Sequence, residues 1–449
     1  MNVVLRGVRV IDPVAGRDEA DLDLWLRDGR LVAVDHRISA SGARIVDLTP
    51  PRGGAALVVC PGFIDLHTHL REPGDEAKET VRSGAAAAAA GGFTQVVAMA
   101  NTTPAVDTPD RVGEMHERAA RVPVRVLPAA AVTRGLLGAE LVDIAGCTAA
   151  GAAAFSDDGR NAAPARLLAE ALAAAAACER PILVHPEDEA MVLASNPPGA
   201  SVTRCEVRPS ACEEAAVDAA LRALANAGRG RLHLQHLSCA GAVQRLRAAR
   251  ELGVTVTAEA TPHHLSMWLP PAAEARPRSL RKVNPPLRSE ADRTALVQAL
   301  RDGVIDAVAT DHAPHAVADK DGDYAEAAPG MIGLETAFGL CNSVGAMGGA
   351  WLPVLLERLT AGPWRVLGAA SGLLEPRLRT GSNADLVLLD PEAAWTVGAD
   401  RLRSRSRNTP LLGAELRGRV LLTLAGGTVA HLDGDEVLAG AFTEPVASA

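Results

Sequence analysis

Lysine is nearly absent from this 449-residue chain, which contains only Lys78, Lys282 and Lys320. Arginine supplies the other basic residues, yet the acidic residues still outnumber the basic ones by 54 to 45, and the formal net charge is -9. A dedicated nucleic-acid-binding protein would need a basic face, so this balance argues against a nucleic-acid partner. Hydrophobic residues make up 48% of the chain, which is enough to bury a large core.

Signals for disulfides, thiolate zinc fingers and membrane insertion are also missing. The seven cysteines are scattered singly, without a CxxC pair, which excludes a disulfide framework and favours a reducing compartment. Residues 1–12 alternate like a strand and lack the apolar core of a signal peptide. Residues 83–106 and 336–356 are free of charge and about as long as a membrane span, but polar residues and Gly interrupt both, and neither stretch is strongly apolar. We expect a soluble, cytoplasmic protein.

The centre of the chain alternates between short apolar runs and Ala-rich helical patterns. The eight apolar runs are residues 56–64, 94–100, 124–130, 151–155, 182–184, 232–234, 254–258 and 305–309. Continuous apolar strands separated by helices indicate a parallel sheet that is covered on both faces. Eight such units over roughly 250 residues predict a (β/α)8 barrel of the TIM type, with an open doubly wound sheet as the alternative.

Both ends of the chain have a different, β-rich pattern. Short strands with turn signals are predicted near residues 3–10 and 21–34, and again near residues 384–389 and 420–431. We therefore predict an α/β protein in which residues 1–55 and 379–449 form a small β-sandwich domain. Residues 56–378 would form the catalytic barrel.

In a (β/α)8 barrel the chemistry lies at the carboxyl ends of the strands. The first apolar run leads into Asp65-Leu66-His67-Thr68-His69. His67 and His69 are two residues apart, so both side chains point to the same side of an extended strand. Two imidazoles on one face can bind a metal ion, although an isolated pair is more often two solvated loop histidines.

Other strand ends supply similar residues. The fourth run leads into Asp157 and Asp158, the fifth into His185, the sixth into His236 and the eighth into Asp311. Nine of the twelve histidines lie in or beside strand ends, namely His67, His69, His185, His233, His236, His263, His264, His312 and His315. Four histidines together with aspartate form a set of nitrogen and oxygen ligands that suits Zn²⁺, and Mn²⁺ or Co²⁺ could substitute. The spacing does not decide between Asp157 and Asp158.

Residues 61–74, PGFIDLHTHLREPG, resemble the signature of the amidohydrolase superfamily, and the HLREPG extension resembles dihydroorotases of the long bacterial (class I) type. The other matching motifs are NTTP at 101–104, FSDDG at 155–159, TPHHL at 261–265, NPPLR at 284–288, ATDHAPH at 309–315, GLETA at 333–337 and RSRNTP at 405–410. They occur in the family's order and cover essentially the whole chain.

The resemblance implies a ligand set for one or two zinc ions. Its members are His67, His69, Asp158, His185, His236 and Asp311. Many amidohydrolases bridge two metals with a carboxylated lysine, but the lysines of this chain lie outside the fourth strand. The long bacterial dihydroorotases place an aspartate at that point, and on this resemblance we choose Asp158.

The resemblance also implies the reaction, which is the reversible cyclisation of N-carbamoyl-L-aspartate to (S)-dihydroorotate in the third step of pyrimidine (UMP) biosynthesis. Metal-bound hydroxide would attack the cyclic amide, and Asp311 would act as the general acid and base. Arg71, Asn101 and His315 would bind the substrate carboxylate, and Asn284 would bind the ring together with the backbone of Pro329 and Gly330. His69 would also face the substrate.

Three further expectations concern the surroundings of the site. Residues 316–328 follow the eighth strand, are small and polar, and are predicted to form either a mobile lid or a passive surface loop. A homodimer is the default assembly, and association with aspartate transcarbamoylase is compatible with the sequence.

The alternative functions are a hydantoinase-like or allantoinase-like cyclic amidase, and a non-catalytic dihydroorotase-like subunit that scaffolds the transcarbamoylase. A dinucleotide-binding enzyme is excluded because no GxGxxG motif is present.

Overall fold

The computed structural model describes residues 1–51, 54–160, 163–202, 205–269, 279–345, 351–433 and 436–443. The strands in this part of the chain are β1 (Asn2–Asp12), β2 (Arg17–Arg27), β3 (Arg30–Asp35), β4 (Arg44–Asp47), β5 (Val58–Pro61), β6 (Phe63–Thr68), β7 (Phe93–Ala98), β8 (Arg125–Ala130), β9 (Ala154–Ser156), β10 (Pro181–Val184), β11 (Arg231–Leu234), β12 (Val256–Ala260), β13 (Ala307–Val308), β14 (Leu386–Thr396), β15 (Glu415–Ala425) and β16 (Thr428–Leu432).

The helices in the described residues are α1 (Val81–Ala90), α2 (Pro109–Ala119), α3 (Ile144–Ala149), α4 (Ala165–Ala177), α5 (Glu189–Ala194), α6 (Ser210–Ala227), α7 (Ala240–Glu251), α8 (Pro262–Ser266), α9 (Glu290–Arg301), α10 (Val317–Lys320), α11 (Ala337–Val344), α12 (Trp351–Leu359), α13 (Ala361–Leu367) and α14 (Glu436–Thr443). Among them, no helix has both the length and the apolar character that a membrane crossing requires.

Strands β6 to β13 form a parallel sheet in sequence order. A parallel bridge between Thr68 and His312 joins the end of β6 to the segment after β13, so the sheet forms a nearly closed barrel. A second sheet is built from the two ends of the chain. The predicted architecture, a (β/α)8 barrel with a smaller β structure from both termini, is confirmed.

Side chains of the barrel strands alternate between two apolar layers. Phe155 and Ile182 point outward and belong to the core between strands and helices. Ala154 and Leu183 point inward, where they pack with Leu367 of α13 in the core inside the barrel. Because both faces are buried, the strands are continuous apolar runs rather than alternating ones.

The terminal sheet has the order β16-β15-β14-β5-β1-β2-β3, and β4 pairs with β1. Its central pairing joins the two halves of the chain, because β14 runs antiparallel to β5 with Leu386 opposite Pro61. Leu24 from the first half and Leu388 from the second are fully buried in the same core of this sheet.

The structure corrects one predicted strand. The apolar run 56–64 is not a single barrel strand, because β5 lies in the terminal sheet and only β6 opens the barrel. Gly62 separates them, and a Cβ atom at this position would lie 2.2 Å from the Thr94 side chain. Both strands are fully buried, so their composition did not reveal the break.

The predicted domain boundaries after residues 55 and 378 stay predictions. The terminal sheet extends to Pro61 through β5, which is beyond the first of these positions. Near the second, the Leu378 amide already donates to the Asp12 carboxylate at the end of β1, with a nitrogen–oxygen distance of 2.8 Å.

Candidate metal centre

Six histidine and aspartate side chains that follow barrel strands meet at one end of the barrel. All are buried, with at most 6% of any of them exposed; they are His67, His69, Asp158, His185, His236 and Asp311. They come from the ends of five strands, β6, β9, β10, β11 and β13. Strands β9, β10 and β11 are neighbours in the sheet, and the Thr68–His312 bridge joins the end of β6 to the segment after β13. The structure thus brings together every residue of the predicted ligand set.

One group of ligand atoms lies at the ends of β6 and β13. Nε2 of His69 is 3.0 Å from Oδ1 of Asp311. Nε2 of His67 is 3.6 Å from the same oxygen. These three side chains offer three atoms that all lie within 4.8 Å of one another, close enough to share a metal ion.

A second group lies at the ends of β10 and β11. Nδ1 of His185 is 2.8 Å from Nε2 of His236. Each of these nitrogens is 3.7 Å from Oδ1 of Asp158. The other oxygen of Asp158 is 3.4 Å from Nε2 of His69, so Asp158 lies between the two groups.

The orientation of these atoms fits a metal site. His67 Nε2 and Asp158 Oδ1 are buried and 3.2 Å apart, yet neither has a hydrogen-bond partner among the described residues. Buried polar atoms without a partner are rare, and these two lie within 4.8 Å of a ligand atom of His236. Imidazole nitrogens and carboxylate oxygens suit Zn²⁺ and related divalent ions, so these residues fit the metal that the resemblance implies.

The carboxylates and imidazoles of the site shift each other's pKa values. Burial would lower the pKa of His67, but the carboxylates of Asp158 and Asp311 raise it well above its usual value. Burial would raise the pKa of Asp158, but the surrounding imidazoles, His67 above all, hold it well below its usual value. The carboxylates at this site are therefore ionised, which is the form that binds a cation.

The two adjacent aspartates after β9 face different surroundings. Asp157 Oδ1 accepts hydrogen bonds from the backbone amides of Val132 and Thr133, at 2.8 and 3.0 Å. The Thr133 hydroxyl donates to the other oxygen. Asp158, and not Asp157, is the aspartate that lies among the histidines.

Glu259 on β12 supports the site from inside the barrel and was not among the predicted residues. It is fully buried, and its Oε1 accepts from Nδ1–H of His67 at 2.9 Å. His233 contacts the other oxygen at 3.0 Å. Burial would raise the pKa of Glu259, but the two histidines lower it to about 2. The hydrogen bond at Nδ1 fixes the ring of His67 with its Nε2 directed toward Asp158 and Asp311.

The predicted substrate residues border one cavity of about 530 Å³ beside the six side chains. Those that line it include Arg71, Asn101, Asn284, His315, Pro329 and Gly330. Asn101 is held by His69, whose Nδ1 is 2.9 Å from the amide oxygen. Burial lowers the pKa of Arg71 below its usual value, but nearby carboxylates such as Asp311 oppose the shift.

A buried ion pair on the same wall was missed by the sequence analysis. Arg208 donates to the carboxylate of Glu187, which lies 3.2 Å from the side-chain nitrogen of Asn284. Arg208 also lines the cavity. The one sequence signal was a Glu two residues after the strand-end His185.

His312 follows Asp311 but turns away from the centre, as expected from its position next to a residue that faces inward. Its Nε2 lies 3.3 Å from the Glu79 carboxylate, and its Nδ1 accepts from the Gly333 amide at 3.1 Å. His264 is also engaged outside the centre, since its Nε2 donates to the Pro285 carbonyl at 2.9 Å.

Comparison with known proteins decides the family. A family model described as "Dihydro-orotase-like" matches residues 56–239. A dihydroorotase of Anaeromyxobacter dehalogenans is 42% identical over 437 residues, which cover 96% of this chain and 98% of the relative. The chain belongs to the dihydroorotase family. A dihydroorotase of Pelotomaculum thermopropionicum is 38% identical over 437 residues, covering 96% of this chain and 99% of the relative.

Solved structures support the fold of this dihydroorotase-family chain. An L-hydantoinase (dihydropyrimidinase) from Arthrobacter aurescens matches with a TM-score of 0.81 and 25% identity, over 97% of each chain. A dihydropyrimidinase from Brevibacillus agri NCHU1002 matches with a TM-score of 0.80 and 23% identity, over 96% of this chain and 95% of the other. The predicted enzyme class, hydrolases of cyclic amides, is confirmed at the level of the family.

Proposed function

We propose that the protein is a zinc-dependent dihydroorotase that interconverts N-carbamoyl-L-aspartate and (S)-dihydroorotate in pyrimidine biosynthesis. The observation that carries the proposal is the arrangement around one cavity. Five of the six buried His and Asp side chains line it, all except His67, and a cation, Arg71, lines it as well. The relatives named dihydroorotase, 42% and 38% identical over nearly the whole chain, support the same substrate.

The residues that would hold zinc fall into the two groups described above. His67, His69 and Asp311 would hold one ion. His185, His236 and Asp158, which lies between the two groups, would hold a second ion. A bound zinc ion supplies a Lewis acid that lowers the pKa of water and polarises a carbonyl group.

Asp311 would move the proton in this reaction. Burial would raise its pKa, but His67 and His69 keep it well below its usual value, so the carboxylate is ready to accept a proton. In hydrolysis it would take the proton from the attacking water and deliver it to the leaving amide nitrogen. In cyclisation the same proton would move in the opposite direction.

The position of Asp311 is held by the strand before it. Its backbone has a φ of 47°, a left-handed conformation that is unfavourable for a residue other than glycine. The preceding Thr310 is fixed, because its amide donates to the buried Asp65 carboxylate at 2.9 Å. We infer that this contact keeps the Asp311 carboxylate directed toward His69.

Arg71 would bind the carboxylate of dihydroorotate. Its Nε donates to the Pro314 carbonyl at 3.1 Å, which fixes the side chain at the cavity wall. An arginine offers a planar fork of donors that matches a carboxylate. Asn101 and His315 border the same part of the cavity and would complete the carboxylate site, while Asn284 would contact the ring.

The rival functions make different demands on the same site. A hydantoinase-like or allantoinase-like amidase has no need of a cation for a ring carboxylate, whereas Arg71 is half-buried and lines the same cavity as the His and Asp side chains. A non-catalytic subunit would have no need to keep a complete ligand set.

The proposal also includes a homodimer, a cytoplasmic location and an association with aspartate transcarbamoylase.

The test is dihydroorotate hydrolysis, followed by ultraviolet absorbance, with the metal content measured on the same sample. Wild type should hydrolyse the compound and contain one or two zinc ions per chain. Asp311→Asn should lower kcat by roughly 10³-fold, because it removes the proton carrier. Wild-type protein that binds metal but leaves dihydroorotate intact would refute the proposed substrate, and hydantoin and allantoin would be tested next. Protein without metal or activity would support the scaffold function.

A further inference from the structure

The ammonium group of Lys320 is buried beneath the loop that follows the last barrel strand. Lys320 ends α10, and only 4% of it is exposed. Its Nζ donates to the carbonyl oxygens of Ala328 at 2.7 Å, Gly330 at 3.0 Å and Lys282 at 3.1 Å. An ammonium has three N–H donors and no acceptor, so each donor has one carbonyl partner.

These carbonyls belong to two segments that border the cavity. Ala328, Pro329 and Gly330 line it directly. Lys282 lies two residues before Asn284, which also lines the cavity. The Gly330 amide also donates to the Lys282 carbonyl, at 2.8 Å, so the two segments are joined both directly and through Lys320.

The backbone at Gly330 cannot be held by a side chain of its own. Its φ is +127°, and a Cβ atom there would lie 2.7 Å from the Ala313 Cβ. Its carbonyl is therefore fixed from outside, by Lys320 and by the side-chain nitrogen of Asn408 at 3.2 Å. The neighbouring Pro329 carbonyl accepts from Nε2–H of His315 at 2.8 Å, so the same segment also orients His315.

We infer that Lys320 is a positioning residue for substrate binding, because its ammonium holds the Pro329–Gly330 backbone and the segment leading to Asn284 against the cavity. Lys320 is not among the described residues that line the cavity, so it acts through these segments and not by touching substrate. The inference rests on the proposed function, since it takes this cavity as the place where the cyclic amide binds.

The charges around Lys320 give this contact a pH dependence. Burial lowers the pKa of Lys320 to about 7, with Lys282 adding to the shift and Asp319 opposing it. Asp319 in turn lies 3.4 Å from Lys78 and 3.6 Å from His315. A neutral amine offers two N–H donors and one lone pair, so one of the three carbonyls would lose its donor as the pH rises above 7.

Lys320→Met tests the inference, because it keeps the length of the side chain and removes all three donors. We expect the KM for dihydroorotate to rise about tenfold, with kcat and zinc content close to wild type. Lys320→Arg should recover part of the affinity, and its KM should no longer rise above pH 7. Lys78→Met is the matched control, because Lys78 contacts the same loop through Asp319 but not these carbonyls. Its KM should remain at the wild-type value.

Protection of the Gly330 amide from hydrogen exchange gives a second readout that needs no substrate. It should fall in Lys320→Met and stay at the wild-type level in Lys78→Met. An unchanged KM in Lys320→Met, or a parallel loss of kcat and zinc, would overturn the inference and leave the proposed function intact. If wild type itself does not hydrolyse dihydroorotate, the proposed function fails, and unchanged protection of Gly330 would then overturn the positioning role as well.

Discussion

Asp157 and Asp158 are adjacent in sequence, but only Asp158 lies among the histidines of the candidate metal centre. Asp158→Asn should lower zinc content and abolish most activity, because it removes a charge that faces four imidazoles. Asp157→Asn should retain zinc and lower the free energy of unfolding by about 1–2 kcal/mol, because it disturbs the bonds to Val132 and Thr133.

Metal analysis and urea denaturation on both variants check this prediction, and each variant is the control for the other. Loss of zinc in Asp157→Asn with normal zinc in Asp158→Asn would reverse the assignment. Equal loss in both would mean that the segment after β9 acts as a unit and that the two aspartates cannot be separated.

Single residues were predictable where strand geometry alone set their direction. His67 and His69 lie two apart on one strand, and Asp311 lies two residues beyond the inward-facing Ala309. Glu259 was not predictable in this way, because its role depends on His67, which is 192 residues away in sequence. A lone acidic residue in an otherwise apolar strand was the available signal.

At the scale of elements, Glu79 connects the barrel to the segment between β14 and β15 of the terminal sheet. This buried carboxylate precedes α1 and accepts hydrogen bonds from the Ser404 hydroxyl and from the Arg405 amide, the latter at 3.1 Å. It also contacts His312. Burial would raise the pKa of Glu79, but His312 and Ser404 lower it, so the group is ionised.

Glu79→Gln should lower the free energy of unfolding by about 1–3 kcal/mol. The neutral amide would accept the hydrogen bonds from the Ser404 hydroxyl and the Arg405 amide less well than the carboxylate does. Glu76→Gln, three residues earlier and exposed, should change it by less than about 0.5 kcal/mol. Urea denaturation of both variants provides the measurement. Equal effects would show that Glu79 does not connect the two parts in the way described.

The number and type of the strands and helices could be predicted better than the residues at which they begin and end. The eight-fold alternation identified the barrel, because each parallel strand needs a helical crossover. The break at Gly62 was hidden, since β5 and β6 are both fully buried and neither alternates. Whether the loop of residues 316–328 moves as a lid stays a prediction; its α10 end is fixed through Lys320.

At the scale of the whole molecule, the barrel and the terminal sheet share one apolar core. Val387 and Leu389 of β14 belong to the same buried cluster as Phe63 and Phe93 of the barrel strands. The opposite face of β14 packs in the core of the sheet through Leu388. We therefore expect the two parts to unfold together.

Leu388→Ala should lower the free energy of unfolding by about 2–5 kcal/mol, because it leaves a cavity in a fully buried core. The urea midpoint should shift equally whether unfolding is followed at Trp25, in the terminal sheet, or at Trp364, in α13. Each measurement uses a variant that retains only one of these two tryptophans. Leu412→Ala, at a position that is 42% exposed, is the control and should have little effect. A shift confined to Trp25 would mean that the sheet unfolds alone.

The scarcity of lysine has a practical consequence for anyone who wants to attach this protein to a surface or a dye. Lys282 and Lys320 are 2% and 4% exposed, and the side chain of Lys78 is 24% exposed and paired with Asp75 and Asp319. Amine-reactive reagents should therefore modify the amino terminus first and Lys78 second. Met1 packs against the apolar core of the terminal sheet, so coupling there would attach the protein through this sheet.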